Sequence, residues 1–406
     1  MNGSLRRRLG LGTSVALGLG SMIGAGVFVV FAPAAAAARH GIWIALTIAA
    51  LVALCNAMSS ARLAAIYPQS GGTYVYGRER LGPFWGYLAG WSFIVGKIAS
   101  CSAMALAIGS YAWPEHAHLV AASAAVAATV INYVGIQRSA AATLVIVTIT
   151  LVVLTAVVVV CLAGPPSAAR DVKPATAHGV AEAAGLLFFA FAGFARLATL
   201  GEEVREPRRT IPRAIATSLA LTVTVYALVA YAVLRTLGAD RLASASAPLS
   251  SAVAAAGTSG LEPVVRAGAV IAGLGALLAL LLGVSRTALA MARDGHLPRT
   301  LGAIHPRFHV PHHAEVAVGA IVVILAASVD LRQAIGFSSF AVLIYYLIAN
   351  ASAWTLPSSR PGLARIMPAI GAVGCLLLAI SLPVSSVAAG VAVLLAGVAS
   401  WHVTSR

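Results

Sequence analysis

Glycines interrupt the first long apolar segment of the chain, in the run Gly20-Ser21-Met22-Ile23-Gly24-Ala25-Gly26-Val27-Phe28. A break in a membrane-spanning helix frees backbone N–H and C=O groups, which are tolerated only where protein buries them or where they line a polar cavity. Secondary transporters bind substrates near the middle of the membrane at such breaks. Gly20 and Gly24 also form a GxxxG pair, the pattern of a close helix–helix contact. The run alone therefore leaves two interpretations open, a binding site and a packing face.

A second glycine interrupts the sixth apolar segment, in the run Phe188-Phe189-Ala190-Phe191-Ala192-Gly193-Phe194-Ala195-Arg196. The two interrupted segments are five segments apart. Broken segments at matching positions of two halves indicate an inverted repeat with a binding site between the halves. The pair of breaks thus favours a transporter over a packing face.

Lys97 is a positive charge near the centre of the third apolar segment. A cation at that depth costs on the order of 2.5–3.5 kcal/mol by insertion scales, so it normally faces the bundle interior or a water-filled cavity. We interpret Lys97 as functional, either as a titrating group in proton coupling or as an anchor for a substrate. The alternative is a structural lysine that reaches the membrane interface or binds Ser100, Ser102 or a backbone carbonyl.

Composition places the whole chain in a membrane. Of its 406 residues, 60% are hydrophobic and 10% are charged, a balance outside the range of soluble globular proteins. A span needs about 20 mostly apolar residues. The pattern predicts an all-α integral membrane protein with about twelve spans. They lie at about 12–34, 41–63, 84–112, 117–135, 140–163, 178–200, 212–236, 262–290, 313–329, 333–354, 366–382 and 384–402.

The net charge of +15 is distributed unequally between the two sides of the predicted membrane. If the N-terminus is cytoplasmic, the cytoplasmic segments carry 18 lysines and arginines and the outer segments carry 7, as the positive-inside rule requires. The charge is therefore a topology signal and does not indicate nucleic-acid binding. We expect a bacterial cytoplasmic (inner) membrane protein with both termini in the cytoplasm.

Nothing in the sequence indicates a metal, a cofactor or an enzyme. All four cysteines fall within predicted spans and form no CxxC pair: Cys55, Cys101, Cys161 and Cys375. Four histidines cluster in one loop, where prolines interrupt any regular ligand face: His305, His309, His312 and His313. The glycine-rich run is not a dinucleotide fingerprint, because no strand precedes it. No nucleophile–base pair falls in a plausible pocket.

Several stretches resemble motifs of the amino acid–polyamine–organocation (APC) superfamily of permeases. They are Gly20 to Phe28, Pro68 to Tyr76, Phe188 to Arg213 and Gly283 to Gly295. The resemblance covers almost the whole chain, and the order of the motifs agrees with the span count. It implies one transporter domain over residues 1–402 with a LeuT-like fold. That fold has two inverted five-helix repeats, at about 12–163 and 178–354, and two further helices at about 366–402.

The resemblance also implies transport of amino acids or related amines by alternating access. The N-terminus of a half-helix offers free N–H groups and a partial positive charge, and glycine lets a ligand approach the backbone closely. We therefore place the substrate carboxylate on the backbone of residues 24–26. By resemblance, the ammonium is bound by backbone carbonyls, and two phenylalanines form aromatic walls. The predicted substrate-binding residues are Ile23, Gly24, Ala25, Gly26, Phe191, Ala192, Gly193 and Phe194.

Three residues are expected in coupling or gating: Lys97, Arg196 and Tyr345. Many family members have an acidic residue just after the glycine–aromatic pair of the sixth span, where this chain has Ala195 and then Arg196. The missing carboxylate disfavours a cationic substrate. Arg196 is expected to gate the inner mouth, to pair with a nearby glutamate or to bind an acidic substrate. Tyr345 and Tyr346 point about 100° apart on a helix, so at most one faces the pathway.

We expect a permease for neutral amino acids, with acidic ones as a second class. The partners are the amino acid, membrane lipid and a proton as candidate coupling ion. Sodium coupling is disfavoured, because the predicted fifth and eighth spans lack the lysine or the hydroxyls that relatives use, and a hard cation needs several oxygen ligands. Simple exchange remains open. The alternatives are an amine or polyamine antiporter, a non-transporting amino acid sensor on the same fold, and a channel, which would need a continuous polar pore.

Overall fold

The computed structural model describes residues 10–67, 71–135, 140–167, 174–194, 204–357 and 361–404. In these ranges the chain forms α-helices, numbered α1 to α16, and short 3-10 helices. The α-helices are α1 Leu11–Met22, α2 Gly26–Val29, α3 Phe31–Ala38, α4 Ile42–Ile66, α5 Thr73–Leu81, α6 Pro83–Ala112, α7 Ala117–Tyr133, α8 Ala140–Ala163, α9 Ala177–Phe191, α10 Pro207–Ser244, α11 Pro248–Ala255, α12 Glu262–Arg293, α13 His312–Ser328, α14 Leu331–Trp354, α15 Pro361–Ser381 and α16 Val384–Thr404.

Within the described ranges, ten helical segments are long and apolar enough to cross a membrane. They account for the predicted spans except the fourth and the ninth. Those two correspond to α7 and α13, which have 17 residues each and are shorter than a typical span of about 20 residues. The predicted all-α membrane fold is confirmed, and the count of twelve spans stays a prediction.

The packing of the helices repeats after five predicted spans. The first span, α1, packs against α8 and α10, which are the predicted fifth and seventh spans. The sixth span, α9, packs in the same way against α14 and α4, which are the predicted tenth and second spans. Likewise the third span, α6, packs against the tenth, α14, and the fourth, α7. The eighth span, α12, packs against the fifth, α8, and the ninth, α13. An inverted repeat of five spans predicts this pairing. The boundaries of the two repeats and of the helices after them stay predictions.

Helix α6 lies at the centre of the bundle, in contact with α7, α12, α13, α14 and α16. Small residues allow these close approaches, since lipid chains supply no hydrophobic drive and tight van der Waals packing must hold the helices together. A methyl group on Gly96 would lie 2.9 Å from the side chain of Ala341 on α14. The neighbouring Lys97 is consequently held inside the bundle, with 7% of its surface exposed.

The two ends of the bundle have different surfaces. We call the end that carries α5 and the 294–311 loop the basic face, and the other end the opposite face. At the basic face, Arg80 Nε donates to Thr355 Oγ1 at 2.9 Å. At the opposite face, Arg39 pairs with Asp240 at 2.7 Å. Exposed pairs of this kind contribute roughly 0–1 kcal/mol, so they orient loops and do not hold the bundle together.

Candidate functional site

The first predicted break is present in the structure. Helix α1 ends at Met22, Ile23 leaves the helical region (φ −87°, ψ 65°), and α2 begins at Gly26. All of these residues are buried. Within the described part of the chain, the amides of Gly24, Ala25 and Gly26 donate no hydrogen bond, and the Ile23 carbonyl accepts none. The break therefore presents three unpaired donors beside an unpaired acceptor.

The second break lies against the first. Helix α9 ends at Phe191, and Ala192–Phe194 form a 3-10 turn. A methyl group on Gly193 would overlap the carbonyl of Ser21 and lie 2.7 Å from the backbone nitrogen of Met22. Only a residue without a side chain permits this backbone-to-backbone contact. The two interrupted segments predicted from the sequence thus meet at their breaks.

Tyr226, on α10, joins the two breaks. Its hydroxyl lies 2.7 Å from the Met22 carbonyl oxygen and 3.1 Å from the Ala190 carbonyl oxygen. Its ring packs against Phe191, with 5.0 Å between ring centroids. Buried tyrosines usually find a partner for the hydroxyl, and here the partners are carbonyls next to the breaks. Tyr226 does not stand out in the sequence, where its only signal is a polar hydroxyl within an apolar span.

Two side chains converge on the Ala192 carbonyl, at the second break. Lys97 Nζ lies 3.5 Å from this oxygen, and the Tyr346 hydroxyl donates to it at 3.3 Å. Phe194 stacks on Tyr346, with 4.8 Å between ring centroids. The mid-membrane lysine that the sequence singled out therefore lies at the breaks, and its cationic head group meets a backbone carbonyl.

Of the two adjacent tyrosines on α14, Tyr346 is the one that reaches the breaks. The Tyr345 hydroxyl instead accepts a hydrogen bond from the Thr73 amide at 3.1 Å, and its ring lies 5.3 Å from Phe93. Tyr345 thus connects α14 to α5 at the basic face. Its predicted role in gating stays a prediction, and Arg196 lies outside the described residues.

A polar cluster at the basic face links α5 to the loop after α12. The Tyr74 hydroxyl donates to Asp294 and lies 2.9 Å from His296 Nδ1, and Arg78 lies 3.2 Å from Asp294. Burial and the Asp294 carboxylate raise the pKa of Tyr74. Burial lowers the pKa of His296, which the nearby Asp294 only partly offsets. The cluster therefore favours the neutral form of the His296 imidazole and the neutral form of the Tyr74 phenol.

The opposite side of the breaks is also covered. The Tyr111 hydroxyl donates to the Phe28 carbonyl at 2.8 Å and accepts from the Leu249 amide at 3.1 Å. Leu249 belongs to the short helix α11, which lies across this end of the bundle. Phe28 and Tyr111 also form an edge-to-face ring pair at 5.7 Å. Phe28, Tyr111 and Leu249, which are far apart in the sequence, are thereby held together over the first break.

Two cavities in the described ranges lie away from the breaks. One, of about 470 Å³, lies between α4 and α10, and the other, of about 350 Å³, lies between α1 and α8. The first is lined by apolar side chains apart from Thr47. Within the described residues, no group of three or more His, Cys, Asp or Glu side chains is placed to hold a metal.

Comparison with known proteins identifies the family of the chain. The sequence profile of a family described as "Amino acid permease" matches residues 9–401. This range includes both breaks, Lys97 and Tyr226. The chain belongs to the amino acid permease family.

Relatives of this permease include transporters with different named substrates. It is 62% identical over 402 residues to an uncharacterised transporter of Mycobacterium tuberculosis, covering 98% of this chain and 91% of the relative. It is 27% identical to a branched-chain amino acid permease of Bacillus subtilis, covering 99% and 94%. It is 29% identical to cationic amino acid transporter 4 of Homo sapiens, covering 91% and 63%. The resemblance to the APC superfamily is confirmed, and this permease is a multi-span membrane transporter.

Proposed function

We propose that this permease is a secondary active transporter of neutral amino acids, with acidic amino acids as a second class. It binds the amino acid at the two helix breaks and moves it by alternating access. The observation that carries the proposal is the set of unpaired, buried backbone groups at residues 23–26. They belong to a break that lies against the second break, where Lys97 is buried. These groups match both ends of an amino acid zwitterion.

The carboxylate is assigned to the amides of Gly24, Ala25 and Gly26. Buried N–H groups without an acceptor are costly, at about 1–3 kcal/mol each, and these three amides find no acceptor among the described residues. The helical torsions continue from Gly26 through Val30 (φ −69°, ψ −25°) to Ala38. The partial positive charge of this helical segment therefore also favours an anion at its start.

The ammonium is assigned to backbone carbonyls of both breaks. Ile23 supplies an unpaired carbonyl next to the three amides, and the resemblance to the APC superfamily adds the carbonyls of Phe191, Ala192 and Phe194. The Ala192 carbonyl already accepts from Tyr346 and approaches Lys97. We propose that the Lys97 ammonium withdraws from this carbonyl when the substrate ammonium binds, so that Lys97 serves as a gate.

The charge of Lys97 also bears on substrate class. The described residues within contact of the two breaks include no carboxylate, and Lys97 is a buried cation beside them. A second cation on the substrate side chain would be repelled in this low-dielectric site. Neutral and acidic side chains avoid this repulsion. The human relative is named a cationic amino acid transporter, so the distinction needs a direct test.

The rival functions fit these groups less well. A polyamine offers donors alone and leaves the amides of residues 24–26 without an acceptor. A channel would need a continuous polar pore, whereas Tyr111 covers one side of the breaks and the Tyr74 cluster lies across the other. A sensor on the same fold would bind without transport. Neither catalysis nor a cofactor enters the proposal.

The charge distribution supports a proposal for the location of the protein. We propose that the basic face is cytoplasmic, that both termini lie on that side, and that the membrane is the bacterial inner membrane. In this orientation the Tyr74 and Arg78 cluster faces the cytoplasm. Helix α11 and Tyr111 then face the outside.

The first test is ligand-dependent thermal stabilisation of the purified full-length protein. The ligands are the twenty amino acids, putrescine and spermidine, each followed by uptake of the stabilising compound into proteoliposomes. We expect stabilisation by neutral amino acids, by acidic ones to a smaller extent, and by no polyamine. Stabilisation by arginine or a polyamine alone would reject the assignment of Lys97. Stabilisation without uptake or exchange would favour the sensor.

A further inference from the structure

Glu315 is a carboxyl group buried inside the helix bundle, in the predicted ninth span and outside the site described above. It lies in the first turn of α13, and none of its surface is exposed. Acidic groups inside membrane spans are rare and are typical of ion pathways and proton relays. The two helix breaks lie on other helices, so substrate binding there does not account for a buried acid on α13.

The hydrogen bonds of Glu315 suit both protonation states. Its Oε1 lies 2.6 Å from the hydroxyl of Ser285 on α12, and that hydroxyl also lies 3.2 Å from the Leu282 carbonyl oxygen. When the carboxyl is ionised, Ser285 donates to it. When the carboxyl is protonated, Ser285 can donate to Leu282 and accept from the acid instead. The other oxygen, Oε2, is buried and has no partner within the described residues.

No cation neutralises Glu315 among the residues that the structure describes. Arg286, the nearest basic neighbour on α12, is exposed and forms no ion pair with it. Cys101 on α6 lies within electrostatic reach of both Glu315 and Lys97. On its own helix and in the adjoining loop, three imidazole rings pack against one another: His305, His312 and His313. The exposed Arg286 and the Ser285 hydroxyl therefore compensate an ionised Glu315 only in part, and a proton is the smallest ligand that neutralises it.

A histidine lies between Glu315 and the basic face. His312 is three residues earlier on α13, and positions i and i+3 are neighbours on a helix surface. Its Nδ1 is buried and has no partner in the described ranges. The ring packs 5.3 Å from that of His305 and 4.1 Å from that of His313. An imidazole at this position can accept a proton from the aqueous side and hold it close to the carboxyl.

Helix α12 connects Glu315 to the breaks. Ser285, its partner, lies nine residues after Ala276 on α12, a separation of about 14 Å along the helix. A methyl group on Gly24 would lie 3.0 Å from Ala276, and Ala25 approaches Gly273 on the same helix. A change in the contact between α12 and α13 at Ser285 is therefore passed to the first break by one rigid element.

We propose that Glu315 is the proton-binding site of this permease, loaded through His312. The proton passes from the His312 imidazolium to the Glu315 carboxylate through an intervening water, since the described residues place no partner within hydrogen-bond distance of either His312 Nδ1 or Glu315 Oε2. The transfer leaves a neutral imidazole and a neutral carboxyl. The protonated form holds α13 against α12 in the closed arrangement, and loss of the proton destabilises that arrangement because it leaves a charge buried between the two helices. This inference rests on the proposed transport function, because it names the ion that drives it.

The experiment compares Glu315→Gln with the wild type and with Glu262→Gln. The glutamine keeps the shape and the contact to Ser285 but cannot change its charge. Glu262 is a matched control, since it lies 3.3 Å from a serine hydroxyl, that of Ser250, at the opposite face. The first readout uses no substrate: the infrared C=O band of protonated carboxyl groups is followed as pH rises. We expect a titrating band in the wild type and in Glu262→Gln that Glu315→Gln lacks.

The second readout is transport of leucine and glutamate in proteoliposomes. We expect Glu315→Gln to lose at least tenfold in accumulation driven by a pH gradient and to keep counterflow exchange. His312→Asn should slow the pH-driven phase and leave the exchange rate unchanged. Equal pH-driven accumulation by Glu315→Gln and wild type would overturn the inference, and so would the absence of a titrating band.

The two readouts separate this inference from the proposed function. If the wild type transports neither amino acid, the function is wrong, yet the infrared titration still decides whether Glu315 binds a proton. If Glu315→Gln does not fold, Ser285→Ala replaces it. That variant keeps the carboxyl and removes its partner, so the band must titrate at a different pH, and an unchanged titration would reject the assignment.

Discussion

Replacement of Gly193 by alanine tests the contact between the two breaks most directly. The added methyl group would overlap the Ser21 carbonyl and lie 2.7 Å from the Met22 nitrogen. These are backbone atoms of a buried helix end, so they cannot move aside as the tip of a flexible side chain can. The two breaks must therefore separate if the variant is to fold.

The expected loss of stability in Gly193→Ala follows from the kind of atoms that the new methyl group meets. Overpacking a core with extra methylene groups typically costs about 1–3 kcal/mol, and a rigid backbone contact belongs near the upper value. A loss of about 3 kcal/mol lowers the population of the closed arrangement by more than a hundredfold, since each 1.4 kcal/mol is a factor of ten. We expect Gly193→Ala to unfold at a lower temperature and to lose amino acid uptake.

Gly26→Ala is the matched control, because a methyl group there would lie 3.5 Å from the side chain of Ala190, an ordinary contact. It adds the same atom to the other break and should leave the unfolding temperature near that of the wild type. The assay is thermal unfolding of both purified variants, followed by uptake in proteoliposomes. If Gly193→Ala unfolds and transports like the wild type, the two breaks do not touch as the structure has them.

Three further substitutions test neighbouring contacts. Tyr226→Phe leaves two buried carbonyls without a donor and should lower the free energy of unfolding by about 1–3 kcal/mol; Tyr231→Phe, at an exposed ring, should have no measurable effect in the same thermal assay. Lys97→Met removes a buried charge and should leave stability unchanged or raise it, whereas uptake should be lost; full uptake would exclude Lys97 from the mechanism. Burial lowers the pKa of His296 below its usual 6.5, so the unfolded chain binds this proton more readily and stability should fall as pH drops below about 6.5. His296→Gln should flatten that step in unfolding measured against pH, and an unchanged step would assign it to another group.

The breaks could be predicted from the sequence because glycine disfavours helix, while the apolar residues around it require a membrane-spanning one. Ile23 to Gly26 and Ala192 to Phe194 lie where the pattern placed them, and Lys97 lies beside them. These features are local, since an interrupted helix and a charge in an apolar run are visible in a short window of residues. The same reasoning predicted the all-α membrane fold.

What the sequence did not show depends on contacts between distant segments. Tyr226 and Tyr346 resemble any other aromatic residue of an apolar span until the bundle brings them to the freed carbonyls. Tyr345 cannot be distinguished from its neighbour Tyr346 by residue type. The two differ only in the direction in which their side chains leave the helix. Glu315 follows four histidines in a loop and resembles the polar end of a span, although the structure buries it completely.

The hydrogen bonds at the breaks suggest why this arrangement suits transport. Freed carbonyls at Met22 and Ala192 are served by tyrosine and lysine side chains, which can rotate away, whereas the amides of residues 24–26 depend on an outside acceptor. A carboxylate that binds those amides stabilises the closed arrangement by its differential affinity alone. An amine without a carboxylate has no such group, so it has no means to favour closure. Under the proposed assignment, the unpaired donors at the first break require a carboxylate on the transported molecule. The amine that corresponds to a bound amino acid lacks this carboxylate and should give no thermal stabilisation.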